Sequence, residues 1–251
     1  MTAAGPGDDL RCVGAAGVRY NAPLGAERAG DLASRLESAG ATRVVDLCCG
    51  RGALLCDVLR GSPGARGTGV DLDAEAIAAA GELARAAGLD DRASFEVGDA
   101  AHWLGAAERS AEIDCAVCIG GSHAFGGSDG MLAALAASPG AGIALVGDGL
   151  YAGSPDGTAP DGGVVEMLGS LVVGMDDYER RATKAGWQVL WSDRSSLDEW
   201  DAFEGGWTDA VNALGTPEAA AFAREREAAY GLYRGVLEFG WFLLGRDGAA
   251  T

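Results

Sequence analysis

Apolar residues in this chain fall in short runs bounded by glycines and carboxylates, and between those runs the apolar spacing becomes helical. Arg43–Leu47, Gly67–Asp71, Ala93–Val97, Ile113–Ile119 and Gly142–Gly147 read as five strands. Ala53–Leu59, Ala74–Ala87 and Met131–Ala137 read as helices between them. Leu32 and Leu36, four apart, place a further helix over Asp31–Ala39, and Gly40 fits its C-terminal cap. Apolar strands bridged by helices imply βαβ units and a parallel sheet covered on both faces. Right-handed crossovers make such a sheet doubly wound. After Tyr151 the pattern changes. A Gly/Pro-rich loop, Ala152–Gly163, leads to a helical stretch clearest over Asp176–Ala185, then a strand at Trp187–Ser192. Leu197–Tyr230 reads as helical, interrupted near Gly205-Gly206 and Gly215-Thr216-Pro217, and Leu237–Leu244 as a last strand. The first 20 residues read as a loose N-terminal arm.

Composition narrows the function. At 251 residues and 48% hydrophobic, the chain suits one compact α/β domain and is too apolar for disorder. Its net charge is −18, its only lysine is Lys184, and it has no basic run. Nucleic acid and anionic membranes, which need clustered cations, are therefore not expected partners. No apolar run reaches 18 residues, and the start lacks a basic and then apolar leader, so the expectation is a soluble, cytoplasmic protein. The six cysteines sit mostly in apolar stretches and read as buried free thiols. Cys115 and Cys118 are three apart on a strand and Cys48-Cys49 are adjacent, so each pair should point to opposite faces. No metal is expected from them, although a Mg²⁺ held by carboxylates near Asp148 stays open.

Ligands of open parallel sheets bind at the carboxyl ends of the strands. Here the first strand ends Asp46-Leu-Cys48-Cys49-Gly50-Arg51-Gly52, the second at Asp71, and the third at Gly98-Asp99-Ala100. The glycines allow close backbone approach. Asp46 repels phosphate but suits a cation, Asp71 is placed to accept from ribose hydroxyls, and Asp99 from an exocyclic amine. Three acids and no phosphate site match the inventory of S-adenosylmethionine.

Asp46-Leu-Cys-Cys-Gly-Arg-Gly52 resembles the first motif of the class I S-adenosylmethionine-dependent methyltransferases, Asp-x-Gly-Cys-Gly-x-Gly, with Cys48 in place of its first glycine. Gly67-Thr-Gly-Val-Asp-Leu-Asp73 resembles their second motif and Gly98-Asp-Ala100 their third, and Cys118-Ile-Gly-Gly-Ser-His-Ala-Phe-Gly126 takes the position after the fourth strand. The match runs roughly from Tyr20 to Leu150. It implies a Rossmann-like, mostly parallel seven-stranded sheet with an antiparallel pair at its end, split here by a helical insertion. A single domain, 1–251, would comprise an arm and helix (1–40), a cofactor-binding half (41–150) and a substrate-side half (151–251) with a helical lid at about 195–236. The resemblance implies S-adenosylmethionine as cofactor and S-adenosylhomocysteine as product. Tyr20, Asp46, Cys48, Gly50, Gly52, Asp71, Leu72, Asp99, Ala100, Cys118, Ile119 and Gly120 would form its site, with Leu72 on the adenine and Cys118–Gly120 along the methionine.

The acceptor is expected to be a small molecule methylated on nitrogen or oxygen. An oxygen acceptor benefits from a base, and His123, Asp148 and Tyr151 are the candidates beside the methyl. His123, Tyr151, Trp200, Phe203, Glu204 and Trp207 would bind the acceptor in an aromatic, acidic cup. The spacing of Trp200, Phe203 and Trp207 is equally that of a helix packing into a core; the alternative for Asp46 and Asp71 is a helix-cap or turn role, and for Asp99 a solvated loop acid. Competing functions are a nicotinamide-dependent oxidoreductase, which would have no antiparallel last strand, and a non-catalytic cofactor-binding partner protein, which would have no room for an acceptor. Monomer and homodimer are both compatible with the sequence.

Overall fold

The computed structural model describes residues 6–152 and 172–246. Two helices come first, α1 (Pro6–Gly17) and α2 (Ala26–Ser38). The alternating part follows: β1 (Arg43–Leu47), α3 (Ala53–Gly61), β2 (Arg66–Asp71), α4 (Ala74–Ala86), β3 (Ala93–Val97), α5 (Ala100–Gly105), α6 (Ala107–Ser110) and β4 (Cys115–Ile119). A short 3₁₀ turn (Ser122–Phe125) leads to α7 (Ser128–Ala137) and β5 (Ile143–Tyr151). The remainder is β6 (Val172–Val173), α8 (Gly174–Lys184), β7 (Gln188–Arg194), α9 (Leu197–Asn212), α10 (Pro217–Tyr233) and β8 (Leu237–Gly245).

The main sheet runs β3-β2-β1-β4-β5-β8-β7, with the two-residue β6 beside the end of β5. The first five strands of that order are parallel. β8 runs antiparallel to both β5 and β7, and α9 and α10 are inserted between β7 and β8. This is the doubly wound, seven-stranded arrangement expected, with the strand order reversing at β1 and β4. Those central strands are apolar on both sides because both faces are covered. Val44 and Leu145 join a core under α2 and α3 with Leu32, Leu36, Leu55 and Leu59. Val45, Leu47 and Val146 join the opposite core under α7 and α8 with Leu132, Leu135 and Tyr178.

Four helices differ from expectation. The N-terminal arm is a helix, because Leu10 and Val13 pack against Val211, Ala219 and Ala223 of the insertion. Gly205-Gly206 does not interrupt α9, whose start is fixed by a capping box between Ser196 and Glu199. α5 and α6 fill the crossover before β4, where no helix was expected; Asp99 caps the first of them. The loop Gly153–Gly163 lies outside the described residues.

Candidate functional site

At the carboxyl ends of β1, β2 and β4 the chain encloses a cavity of about 630 Å³. Of the residues singled out from sequence, Tyr20, Asp46, Cys48, Gly50, Asp71, Leu72, Asp99, Ala100, Ile119, Gly120, His123 and Trp207 line it. The strand ends gather them: Asp46, next to the end of β1, stands opposite Val117 of β4 and Gly69 of β2, and Asp71 closes β2 opposite Val97 of β3.

The three acids stand in different environments. Asp46 is 3% exposed, and among the described residues no protein group hydrogen-bonds its side chain. Burial, reinforced by the charge of Asp71, pushes its carboxyl up to about 8. An acid buried without a partner, on the wall of a cavity, is a site for a cationic or hydrogen-bond-donating ligand. Asp71 is held by the amides of Gly50 (2.8 Å, to Oδ2) and Asp73 (3.0 Å, to Oδ1), which fix its carboxylate across the mouth of the glycine turn. Asp99 accepts from the His102 amide at 2.7 Å, so Oδ1 caps α5. Its cap role and its place on the cavity wall coexist. Leu72, at 70% exposure, offers a bare apolar side chain at the rim.

Gly52 does not line the cavity. Its backbone is left-handed (φ +72), and a Cβ there would sit 2.5 Å from the Phe95 ring and 2.8 Å from the Ala80 Cβ. This glycine seats α3 against α4 and β3 rather than meeting a ligand. Cys118 is fully buried behind the cavity wall, in the core shared with α7.

His123 is exposed in the 3₁₀ turn, with Nδ1 3.2 Å from the Gly120 carbonyl. A carbonyl can only accept, so that contact makes Nδ1 the donor and leaves Nε2 the acceptor. Asp148 and Tyr151 are corrections to the sequence reading, since neither lines the cavity. Asp148 is 5% exposed and its oxygens are taken by the hydroxyls of Ser122 (2.9 Å) and Ser128 (2.6 Å) and the Gly149 amide (3.1 Å). It fastens the turn that carries His123. Tyr151 ends β5 opposite Leu237.

The aromatic cup is mostly core. Trp200 is buried edge-to-face against Phe203, Tyr233 and Phe239. Glu204 is buried and paired with Arg226, whose Nε lies 2.7 Å away, while the Tyr233 hydroxyl donates to it at 2.7 Å. These three residues, Trp200, Phe203 and Glu204, lock α9 to α10 and do not reach the cavity. Only Trp207 does, with its indole N–H donating to Asn21 (3.0 Å) and the Arg226 guanidinium 3.8 Å over its ring.

Sequence reasoning missed the helical wall: Arg11, Cys12, Ala15, Ala16 and Val18 of α1 and its exit line the cavity opposite the acids. The spacing of Leu10 and Val13 after Pro6 was the available signal. Behind this wall Asp57 takes the Arg19 guanidinium at 2.6 and 2.8 Å and the Tyr20 hydroxyl at 2.6 Å. Burial alone would raise the Asp57 carboxyl, but those two donors hold it below the usual range.

Residues 44–138 match a methyltransferase domain family. A curated relative, YjhP of Escherichia coli, is 33% identical over 132 residues, 52% of this chain, and the match spans about half of that relative's length (51%). Among solved structures, a SAM-dependent methyltransferase from Geobacter sulfurreducens in complex with S-adenosyl-L-homocysteine superposes with a TM-score of 0.81 at 25% identity, covering 95% of this chain and 98% of the other. A second such enzyme, from Thiobacillus denitrificans and with the same ligand, gives 0.79 at 25% identity over 94% and 97% of the two chains.

Proposed function

We propose that the chain, which is similar to S-adenosylmethionine-dependent methyltransferases over residues 44–138 and in its whole fold, is a class I enzyme of that kind and methylates a nitrogen or oxygen of a small molecule held between the acid rim and α1. The observation that carries this reading is the buried, unpartnered Asp46 facing the cavity together with Asp71 and Asp99. When bound, S-adenosylmethionine supplies a methyl group activated by a positive sulfur. Asp46 would meet the ammonium end of that ligand, Asp71 the ribose hydroxyls, Leu72 the adenine face and Asp99 its amine. These residues fit the group in charge and in hydrogen-bonding sense.

Methyl transfer of this kind depends mainly on alignment and on exclusion of water. The walls for that are α1, the Tyr20 ring and Trp207, with α9 and α10 holding Trp207 in place. Nε2 of His123 is an acceptor beside the strand-end loop, suited to orient or deprotonate an oxygen acceptor. The net charge of −18 favours a small acceptor over nucleic acid. No described helix is long and apolar enough to cross a membrane, in keeping with action on a dissolved acceptor in the cytoplasm. The antiparallel β8 disfavours a nicotinamide-dependent dehydrogenase.

The test is release of S-adenosylhomocysteine from S-adenosylmethionine across a panel of small phenols, alcohols, amines and ring nitrogens. The expected result is turnover with one chemical class. Turnover confined to an oligonucleotide or a protein would overturn the small-molecule assignment.

A further inference from the structure

Where the first-strand turn meets β4 stands a pair of thiols that the mechanism above does not use. Cys48 is the one non-glycine among the described residues with a left-handed backbone, φ +61. In an extended strand its side chain would point away from the face that carries Leu47. The left-handed turn returns it to that face, where it packs against the core containing Cys118. Cys118 stands on β4 directly opposite Leu47, and neighbouring strands lie about 4.8 Å apart. Both sulfurs converge on Gly121. A Cβ built there would sit 2.8 Å from the Cys118 Sγ and 2.9 Å from both the Cβ and the Sγ of Cys48. The missing Gly121 side chain is what leaves the two thiols facing each other.

We propose that Cys48 and Cys118 form a reversible disulfide under peroxide, and that this bond switches off cofactor binding. Cys48 is half-buried and lines the cavity, so it is the thiol a small oxidant reaches first, while Cys118 is fully buried and resolves. The Cys48 thiol gives up its proton, the thiolate attacks one peroxide oxygen and breaks the O–O bond, and the departing hydroxide takes up that proton, leaving a sulfenic acid and water. Cys118 then attacks that sulfur, its proton leaves with the hydroxyl as a second water, and the S–S bond closes. Two thiols are oxidised and one peroxide is reduced. The neighbouring Cys118 thiol favours the thiolate at Cys48, against burial and the charges of Asp71, Asp46 and Asp99. Closing the bond pulls the turn toward β4 and shifts Gly50, whose amide positions Asp71.

The loss of cofactor binding rests on the function proposed above; the bond itself does not. The experiment treats the intact protein with hydrogen peroxide, maps cysteines by peptide mass spectrometry, and titrates S-adenosylhomocysteine before and after, with dithiothreitol reversal. The expected result is a Cys48–Cys118 peptide, affinity reduced at least tenfold, and full recovery on reduction. Cys118→Ser, compared with its own reduced form, should instead give a dimedone-trappable sulfenic acid at Cys48 and no bond. A disulfide at Cys48–Cys118 with unchanged affinity overturns the switch. Oxidation confined to Cys12, or to sulfinic acid at Cys48 in the native chain, overturns the pairing. A mapped bond in a protein whose reduced form binds no S-adenosylhomocysteine leaves the pairing standing and overturns the proposed function instead.

Discussion

Asp46 concentrates the physics of the site in one side chain. Its folded carboxyl sits near 8 against an ordinary 3.8, because burial penalises the charge and Asp71 repels it. Between those values the unfolded chain has lost a proton that the folded chain keeps, so stability falls as pH rises through this window and levels off above about 8. Asp46→Asn should remove that slope and raise stability at pH 8 by at least about 1 kcal/mol, measured by urea unfolding across pH. A cationic ligand reverses the penalty, so cofactor binding should release a proton near pH 7 and tighten as pH rises toward 8. Calorimetry in buffers of different ionisation enthalpy reads this directly. Asp71→Ala should weaken cofactor binding at least tenfold, about 1.4 kcal/mol; an unchanged affinity would mean that the ribose is held elsewhere. His123→Ala should lower kcat far more than cofactor affinity, and equal loss of both would make it a residue that only shapes the turn. The acids were legible in the sequence because each ends a strand at the same edge. The duties of Asp148 and Glu204 were not, because they depend on Ser122, Ser128, Arg226 and Tyr233 arriving from other elements.

Helix α1 and Trp207 of α9 form the wall opposite the acids, and their contacts are close. Gly14 lies against the Trp207 ring, where a Cβ would come within 2.1 Å, and the Gly17 backbone against Ala210. Gly14→Ala should therefore lift α1 off α9 at a cost of roughly 1–3 kcal/mol. Hydrogen exchange should show faster opening of Pro6–Gly17 while the sheet stays protected. Arg226→Met should cost about 3 kcal/mol by leaving Glu204 buried and unpaired, read as a lowered midpoint of thermal unfolding. The parallel strands and their helices were readable because each carries a complete local pattern. α1 was not, since its Gly- and Ala-rich turn shows apolar spacing only at Leu10 and Val13 and gains its stability from the insertion. The spacing of Trp200, Phe203 and Trp207 fits a cup and a core stripe equally well, and most of it is the helical stripe of a core.

At the scale of the molecule, two halves meet at one edge. The doubly wound sheet presents acids and a glycine turn, and the C-terminal half inserts a helix pair between β7 and β8 that, with α1, encloses the space in front of them. The placement of β8 between β5 and β7 pairs residues about a hundred apart in sequence, such as Ile143 with Gly245. No local pattern specifies such a pairing; only the resemblance in the strand-end motifs implied it. The thiol pair of Cys48 and Cys118 escaped notice for the same reason, because it forms between strands rather than along one. The central claim is that this edge holds an adenosyl ligand of positive or amino-bearing character and no phosphate. Calorimetric titration of the purified protein with S-adenosylhomocysteine and, separately, with NAD tests it most directly: the account predicts one-to-one binding of S-adenosylhomocysteine and none of NAD, and binding of NAD without S-adenosylhomocysteine would contradict it.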